Sequence, residues 1–248
     1  MPVFFPTTVA EATTALAAHP ESMLLAGGTD AMVGINDGHQ RPGAPVISVN
    51  RIADLRSWRH DPVAGTLTVG AGVTYSELMH PSIAGLAPSL AEASRTVGSP
   101  QIRNAGTLGG NLGTSSPAGD GLPVLSALNA VVHLAAAGST RDVDVNDFMV
   151  GVKRTALEPG EMITGVTVPV VDGWQGYAKV GVRNAMVIAV ASSCVVIDRT
   201  RRTIAVALGS VGPTILRCPE AEVFLAARLD WDSLVASSAD QAEFGRLV

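Results

Sequence analysis

Apolar runs alternate along the chain with polar and glycine-rich segments, and their lengths and periods predict the main elements. Thr8 and Glu11 have the spacing of a helix-capping box ahead of an Ala- and Leu-rich run that ends near Pro20. Thr74 and Glu77 repeat this signal. Short β-branched runs between turn residues predict strands. The predicted strands are 23–26, 46–49, 67–69, 131–135, 163–168, 185–197 and 204–208, and the later helices are 31–37, 86–97, 122–129 and 219–228.

Strands and helices therefore alternate, which favours an α/β or α+β arrangement. The length of 248 residues exceeds the ~100–200 residues of an ordinary domain, so two domains are expected. The best boundary is a break at 171–174, directly after a strand that ends at Pro169. The segment 98–123 is dense in Gly, Ser, Thr and Pro, and it is longer than a typical connection, which indicates a functional loop.

Composition limits the function classes. Hydrophobic residues make up 47% and charged residues 16%, which is typical of a globular protein with a substantial core. The net charge of −5 offers no basic field for a phosphate backbone, so nucleic acid is not an expected partner. The mean hydropathy of +0.31 fits either an apolar surface covered by partner chains or an alanine-rich monomer.

The remaining compositional signals concern location and metals. The N-terminal segment has no basic region ahead of an apolar run, and no stretch is long enough to span a membrane, so a cytoplasmic protein is the default expectation. Cys194 and Cys218 are too few to ligate an iron-sulfur cluster, which must then lie on another chain. The five histidines are scattered, and we expect all of them to be structural or surface residues.

Two glycine segments carry the strongest chemical signal. Gly27-Gly28-Thr29 follows a predicted strand and precedes a predicted helix, an order that suits a phosphate cradle of free backbone amides. The segment 107–111 contains Gly109-Gly110 and predicts a second set of free amides, with a hydroxyl and an amide side chain beside them. Neither matches a Rossmann or Walker motif, and each alone is more often a simple turn.

Asp120 stands at a predicted helix start and has two interpretations. Its carboxylate could cap the helix, or it could accept hydrogen bonds from ribose hydroxyls.

Taken together, the order and separation of LLAGGTD (24–30) and RNAGTLGGNLGTSSPAGD (103–120) are specific. They resemble the FAD-binding subunits of the xanthine dehydrogenase and carbon monoxide dehydrogenase family, the molybdenum hydroxylases. The similarity continues through GLPVLSALNA (121–130), EMITGVTVP (161–169) and GYAKVGVRNAMVIAVAS (176–192), so it covers nearly the whole chain.

The resemblance implies an α+β fold. A PCMH-type FAD-binding domain of two α/β subdomains is expected over residues 1–171. A smaller domain of sheet and helices, like the C-terminal domain of carbon monoxide dehydrogenase flavoproteins, is expected over residues 172–248. The resemblance also implies that the following residues bind the cofactor: Leu24, Leu25, Ala26, Gly27, Gly28, Thr29, Asp30, Ala31, Thr107, Leu108, Gly109, Gly110, Asn111, Thr114, Asp120, Ile163 and Lys179.

Within that set, both glycine segments surround the pyrophosphate, Asp120 meets the ribose and adenine end, Ile163 lies beside the adenine, and Lys179 lies near the flavin. Without the resemblance, Lys179 would be interpreted as a solvated lysine beside a strand. No catalytic residue and no metal ligand is implied for this chain.

The sequence departs from the family pattern at three places. Thr29 stands where flavoproteins that attach FAD through a glycine-loop histidine would carry that histidine, so FAD is expected to be non-covalent. The stretch 180–184 lacks the longer acidic loop of animal xanthine dehydrogenases, which argues against direct reduction of NAD. The chain ends at Val248, earlier than related subunits, which leaves open a shortened C-terminal domain or an end that pairs with a partner.

The leading hypothesis is therefore an oxidoreductase subunit that transfers electrons through FAD to an external acceptor. A [2Fe-2S] small subunit and a molybdopterin large subunit would be its partners, as a dimer of heterotrimers. One alternative is a free-standing FAD-dependent oxidoreductase with its own small substrate, although neither loop offers an evident proton-handling residue. The other is a scaffold that has lost FAD, which the intact glycine segments argue against.

Overall fold

The computed structural model describes residues 2–38 and 43–248, and it has the α+β fold expected from the sequence. The helices are α1 (Val9–Ala18), α2 (Ala31–Asn36), α3 (Tyr75–Leu78), α4 (Pro81–Ala84), α5 (Pro88–Thr96), α6 (Pro100–Ala105), α7 (Leu108–Thr114), α8 (Gly121–Ala127), α9 (Val145–Phe148), α10 (Pro219–Ala226) and α11 (Ser238–Leu247). The strands are β1 (Val3–Phe4), β2 (Met23–Leu25), β3 (Val46–Ser48), β4 (Trp58–Asp61), β5 (Thr66–Gly70), β6 (Val131–Ala136), β7 (Ser139–Asp144), β8 (Met149–Gly151), β9 (Arg154–Thr155), β10 (Met162–Pro169), β11 (Gly173–Val180), β12 (Ala191–Asp198), β13 (Thr203–Gly209) and β14 (Leu216–Arg217).

The strands of the described residues form three sheets and one hairpin. A small parallel sheet has the order β1-β3-β2, and α1 and α2 provide the crossovers that parallel strands require. A five-stranded antiparallel sheet has the order β4-β5-β10-β6-β7. The hairpin β8-β9 follows, and a four-stranded antiparallel sheet has the order β11-β12-β13-β14. All four strands of this last sheet come after the predicted boundary at residue 171.

Strand β13 of the four-stranded sheet is buried on both faces. Along β13, Ala205 and Ala207 join the main core together with Leu125 of α8, whereas Val206 between them joins a second core with Leu225 of α10. This alternation follows from the two-residue period of a strand. The main core also includes the inner face of the five-stranded sheet, so apolar packing is continuous from the first part of the chain into the second.

Helix starts follow the predicted capping chemistry, with one difference. At α3 both halves of the box form, because Thr74 accepts the Glu77 N–H and Glu77 accepts the Thr74 N–H. At α1 Thr8 accepts the Glu11 N–H, but Glu11 Oε2 binds the N–H of Thr7 at 2.7 Å rather than that of Thr8. The predicted hydrogen bond from the Thr8 N–H to the Glu11 side chain is therefore wrong, because the donor is the preceding residue, Thr7.

The prediction of a strand at 185–197 is wrong in its first part, since β12 begins at Ala191. Residues 185–190 are irregular, and Met186, Ile188 and Val190 are more than half exposed. An apolar run normally predicts burial, and nothing local indicates that these side chains face outward. The sequence also missed β11, because two glycines interrupt its strand pattern.

The segment 98–123 is more ordered than the predicted loop, because it contains α6 and α7. Pro100 occupies the first turn of α6, and the side chains of Ser99 and Thr107 cap α6 and α7. Of the histidines predicted to be structural or surface residues, His39 lies outside the described residues; His19 stacks on Phe4, and His133 bonds Asp142. Among the helices described, none has the length and apolar character that a membrane crossing requires.

Candidate functional site

The first glycine segment connects β2 to α2 and is half-buried from Leu24 to Thr29. Gly28 has a φ of +71°, a left-handed conformation that favours glycine. Gly27 lies against the end of α6, since a Cβ atom built on it would stand 1.8 Å from the carbonyl oxygen of Ala105. The first glycine segment therefore contacts the chain directly before the second segment.

The first segment presents backbone donors that no protein group uses. Within residues 2–38 and 43–248, the N–H groups of Gly27, Gly28, Thr29, Asp30 and Ala31 donate to no protein acceptor, whereas the N–H of Met32 donates to Gly28 O. Asp30 precedes α2 without capping it through its side chain. This is the donor arrangement that suits an anion.

The second segment is different, and the prediction of free amides there is wrong. The N–H groups of Leu108 and Gly109 donate to the carbonyls of Val73 and Ala71, at 3.0 and 2.9 Å. The next two amides, of Gly110 and Asn111, donate to the side-chain and backbone oxygens of Thr107, both at 3.0 Å. All four amides have acceptors within the protein because the segment begins helix α7 and lies against the turn after β5.

The glycines of α7 serve packing and shape. A Cβ atom on Gly109 would lie 2.5 Å from that of Ala71, so glycine is required there for close approach. Gly110 and Gly113 are exposed and lie three residues apart, hence on one face of the helix. Ile163 of β10 lies beside this face, 3.7 Å from where a Gly113 Cβ would stand, and Thr114 ends the helix. We call the surface between the first segment and this face the glycine groove.

Asp120 does not cap α8, so the capping interpretation is wrong. Its buried carboxylate instead accepts the hydroxyl of Tyr177 at 2.7 Å and the ammonium of Lys179 at 2.9 Å, one at each oxygen. The turn that carries it is held by Asn111, whose Oδ1 accepts the N–H of Gly121 at 3.2 Å. Asn111 thus supports Asp120 and does not offer this oxygen to a ligand.

Lys179 is deeply buried, which rules out the solvated interpretation: only 6% of its side chain is exposed. Its ammonium donates to Asp120 and, at 3.2 Å, to the carbonyl of Thr96 at the end of α5. One ammonium hydrogen is left without an acceptor in the described part of the chain. The structure thus brings together Asp120 and Lys179, which sequence reasoning had assigned to opposite ends of the cofactor.

Tyr177 completes this cluster and was missed by sequence reasoning. Burial, with the nearby Asp120 carboxylate and the hydrogen bond to it as further causes, holds the pKa of Tyr177 well above its usual range. The phenol therefore remains protonated and donates to Asp120. Gln175, Tyr177 and Lys179 alternate along β11, and this spacing was the available signal, since every second residue of a strand shares one face.

Lys153 is the second residue that sequence reasoning missed. It lies in the turn between β8 and β9, and its ammonium is 3.9 Å from the carboxylate of Asp30 in the first segment. Its N–H donates to the carbonyl of Ser115 directly after α7. No sequence motif marks it, because the turn reaches the groove only through the tertiary fold.

The donors of the groove fit a nucleotide cofactor such as FAD. The first segment offers unpaired amides for a diphosphate, the glycine face of α7 allows close approach of a ligand, and Ile163 provides an apolar contact beside that face. The second segment therefore borders the groove with its glycine face, and it is not a second source of free amides.

Comparison with known proteins gives the same cofactor. The family described as "FAD binding domain in molybdopterin dehydrogenase" matches residues 1–171. The FAD-subunit of nicotinate dehydrogenase from Eubacterium barkeri is 36% identical over 195 residues, which cover 75% of this chain and 65% of that protein. The medium chain of glyceraldehyde dehydrogenase from Sulfolobus acidocaldarius is 32% identical, over 79% of this chain and 70% of that protein.

A solved structure agrees with these sequence matches. Carbon monoxide dehydrogenase from Hydrogenophaga pseudoflava superimposes with a TM-score of 0.83 and 27% identity, covering all of this chain and 94% of the matched chain. The resemblance, the fold class and FAD as cofactor are thereby confirmed. The chain belongs to the family of FAD-binding domains in molybdopterin dehydrogenases.

Proposed function

We propose that this chain is the FAD-binding electron-transfer subunit of a molybdenum hydroxylase complex. It would receive electrons from [2Fe-2S] clusters on a small partner subunit, whose source is a molybdopterin centre on a large one, and pass them to an external acceptor. The relatives of similar sequence are named as FAD or medium subunits, which supports a division of labour between chains.

The observation that carries the proposal is the glycine groove itself. The unpaired amides of residues 27–30 would bind the FAD diphosphate, and the smooth face of α7 would let the cofactor lie close to the backbone. FAD would supply the redox chemistry, and the chain would supply its position and electrostatic environment.

The Asp120–Lys179 pair favours electron transfer over an independent substrate reaction. A free-standing flavin enzyme needs a side chain that can exchange protons with its substrate. Asp120 has both carboxylate oxygens engaged by Tyr177 and Lys179, so it is poorly suited to that task. We propose that the pair positions polar groups of the cofactor, with the remaining ammonium hydrogen of Lys179 directed to it.

We also propose that residues 1–171 and 172–248 are two domains that share the cofactor site. The strands of the four-stranded sheet pair only with one another among the described residues, which supports this division. The shared core and the contact of Lys179 with Asp120 support joint assembly of the site.

The test is to purify the chain from cells that also express the proposed small [2Fe-2S] subunit and large molybdopterin subunit. We expect about one FAD per chain, released by acid because Thr29 offers no attachment point, together with iron and molybdenum in co-purifying subunits. An assembly as a dimer of heterotrimers is expected in sedimentation analysis. Flavin that remains attached after denaturation would contradict the non-covalent site, and a metal-free chain that rapidly turns over a small substrate would support a free-standing enzyme instead.

A further inference from the structure

The first glycine segment carries a negative charge beside the expected position of the diphosphate, and its backbone amides do not neutralise that charge. Its one charged side chain is the Asp30 carboxylate, which is more than half exposed and would repel a diphosphate. Two other cations make contacts elsewhere in the protein: Arg103 Nη1 donates to the carbonyls of Val97 and Gly98, and Lys179 is paired with Asp120. A cation close to Asp30 would offset this repulsion.

Lys153 is held where such a cation is needed. Its ammonium lies 3.9 Å from Asp30 Oδ1, while its backbone N–H is fixed at 3.0 Å to Ser115 O, just beyond the C-terminal end of α7. Lys153 also has a φ of +53°, a conformation uncommon for residues other than glycine, so this hydrogen bond belongs to a well-defined turn.

These contacts close a ring around the groove. At one end Gly27 meets Ala105 before α7, and at the other end Asp30 meets Lys153, which is tied to Ser115 after α7. The side of the ring between them is the seven-residue helix α7, about 10 Å long. The lysine side chain is 61% exposed, so it is free to turn from Asp30 towards a ligand inside the ring.

From this geometry we propose that Lys153 is a cofactor-binding residue that pairs with the FAD diphosphate and offsets the repulsion by Asp30. The inference rests on the proposed FAD site and adds a charged contact to it. An ammonium is a strong partner for phosphate oxygens, and its position 3.9 Å from Asp30 places it beside the first segment.

The test measures FAD dissociation constants from the flavin fluorescence released on dilution of the purified holoprotein. We expect Lys153→Met to weaken FAD binding roughly tenfold, as the loss of one charge-assisted contact should, and Lys153→Arg to retain most of the affinity. Raising the salt concentration should weaken FAD binding less in Lys153→Met than in the wild type, because the screened ion pair is gone. Arg154→Met removes a neighbouring exposed charge and should change FAD affinity less than about twofold.

A double variant separates contact with the diphosphate from simple neutralisation of Asp30. If Lys153 binds the diphosphate, Asp30→Asn combined with Lys153→Met should still bind FAD weakly. Recovery of wild-type affinity in the double variant, or equal losses in Lys153→Met and Arg154→Met, would overturn the inference. Failure of the wild-type chain to hold FAD would instead reject the proposed function, so the two failures are distinguishable.

Discussion

The two glycine segments contain the same Gly-Gly dipeptide but offer different surfaces to a ligand. The first, at Gly27-Gly28, leaves its backbone amides unpaired among the described residues, and Gly28 is left-handed. The second, at Gly109-Gly110, has its amides bound to protein oxygens because it opens a helix. The first segment can donate backbone hydrogen bonds to a ligand, whereas the second presents glycine residues whose amides are already bound.

This difference shows that a Gly-Gly pair does not by itself define a phosphate cradle. Whether such a pair can bind an anion depends on whether the backbone amides around it already have acceptors within the protein. Residues 108–111 have them in Val73, Ala71 and Thr107, whereas residues 27–30 stand before a helix without such partners. A shared role remains, since Gly27 and Gly109 both permit close backbone packing.

The largest expected effect tests that shared role. Gly27→Val and Gly109→Val should both prevent folding, because the new Cβ atoms would lie 1.8 Å from Ala105 O and 2.5 Å from Ala71 Cβ. Soluble yield and urea unfolding measure this. Gly245→Val in α11 is the control, as nothing lies within 4 Å of its Cβ position. A stable Gly27→Val protein would show that the segments do not depend on this contact.

The next effect concerns the carboxylate that the second segment supports through Asn111. Lys179→Met should lower the free energy of unfolding by about 3–5 kcal/mol, because it leaves the buried Asp120 charge without its partner. Asp120→Asn should also destabilise the flavin-free protein, whereas a helix-capping role would leave its stability nearly unchanged. Combining both substitutions should recover part of the loss. Additive losses in the double variant would contradict a direct pair.

Gly110→Leu separates binding from folding. Gly110 is exposed, and a Cβ atom there meets only Thr107 Oγ1 at 3.0 Å, so we expect the melting temperature to stay near that of the wild type. A side chain on the groove wall should nevertheless weaken FAD binding roughly a hundredfold, or about 2.7 kcal/mol. Gly245→Leu, also in a helix, should leave flavin content unchanged. Full flavin occupancy in Gly110→Leu would show that this face does not border the cofactor.

The smallest effect compares the two threonines. Thr107→Ala should cost about 1 kcal/mol of stability, because its hydroxyl caps α7 through the Gly110 N–H. Thr29→Ala should not change the stability of the flavin-free protein measurably, since its hydroxyl makes no hydrogen bond to any described protein group. Thr107→Ser should retain the cap. Equal losses for Thr29→Ala and Thr107→Ala in urea unfolding would remove this distinction between the segments.

Local patterns predicted much of the fold. The capping pair at α3, the Thr8 cap of α1 and the strand β10 that ends at Pro169 follow from nearby residues alone. The strand predicted from residue 185 failed because an apolar run carries no sign of exposure. The free amides predicted for residues 108 and 109 are wrong because their acceptors at Val73 and Ala71 lie more than thirty positions earlier in the chain, whereas the amides of residues 110 and 111 donate to Thr107 within the segment.

The sequence by itself determined the mixed fold, the family and the two glycine segments, since each of these depends on residue types at short, fixed spacing. Only the tertiary structure decided which amides remain free, that Asp120 pairs with Lys179 and Tyr177, and that Lys153 reaches Asp30. The physical reason is that hydrogen bonds and ion pairs depend on distances of about 3–4 Å, and these distances are set when separate elements pack together.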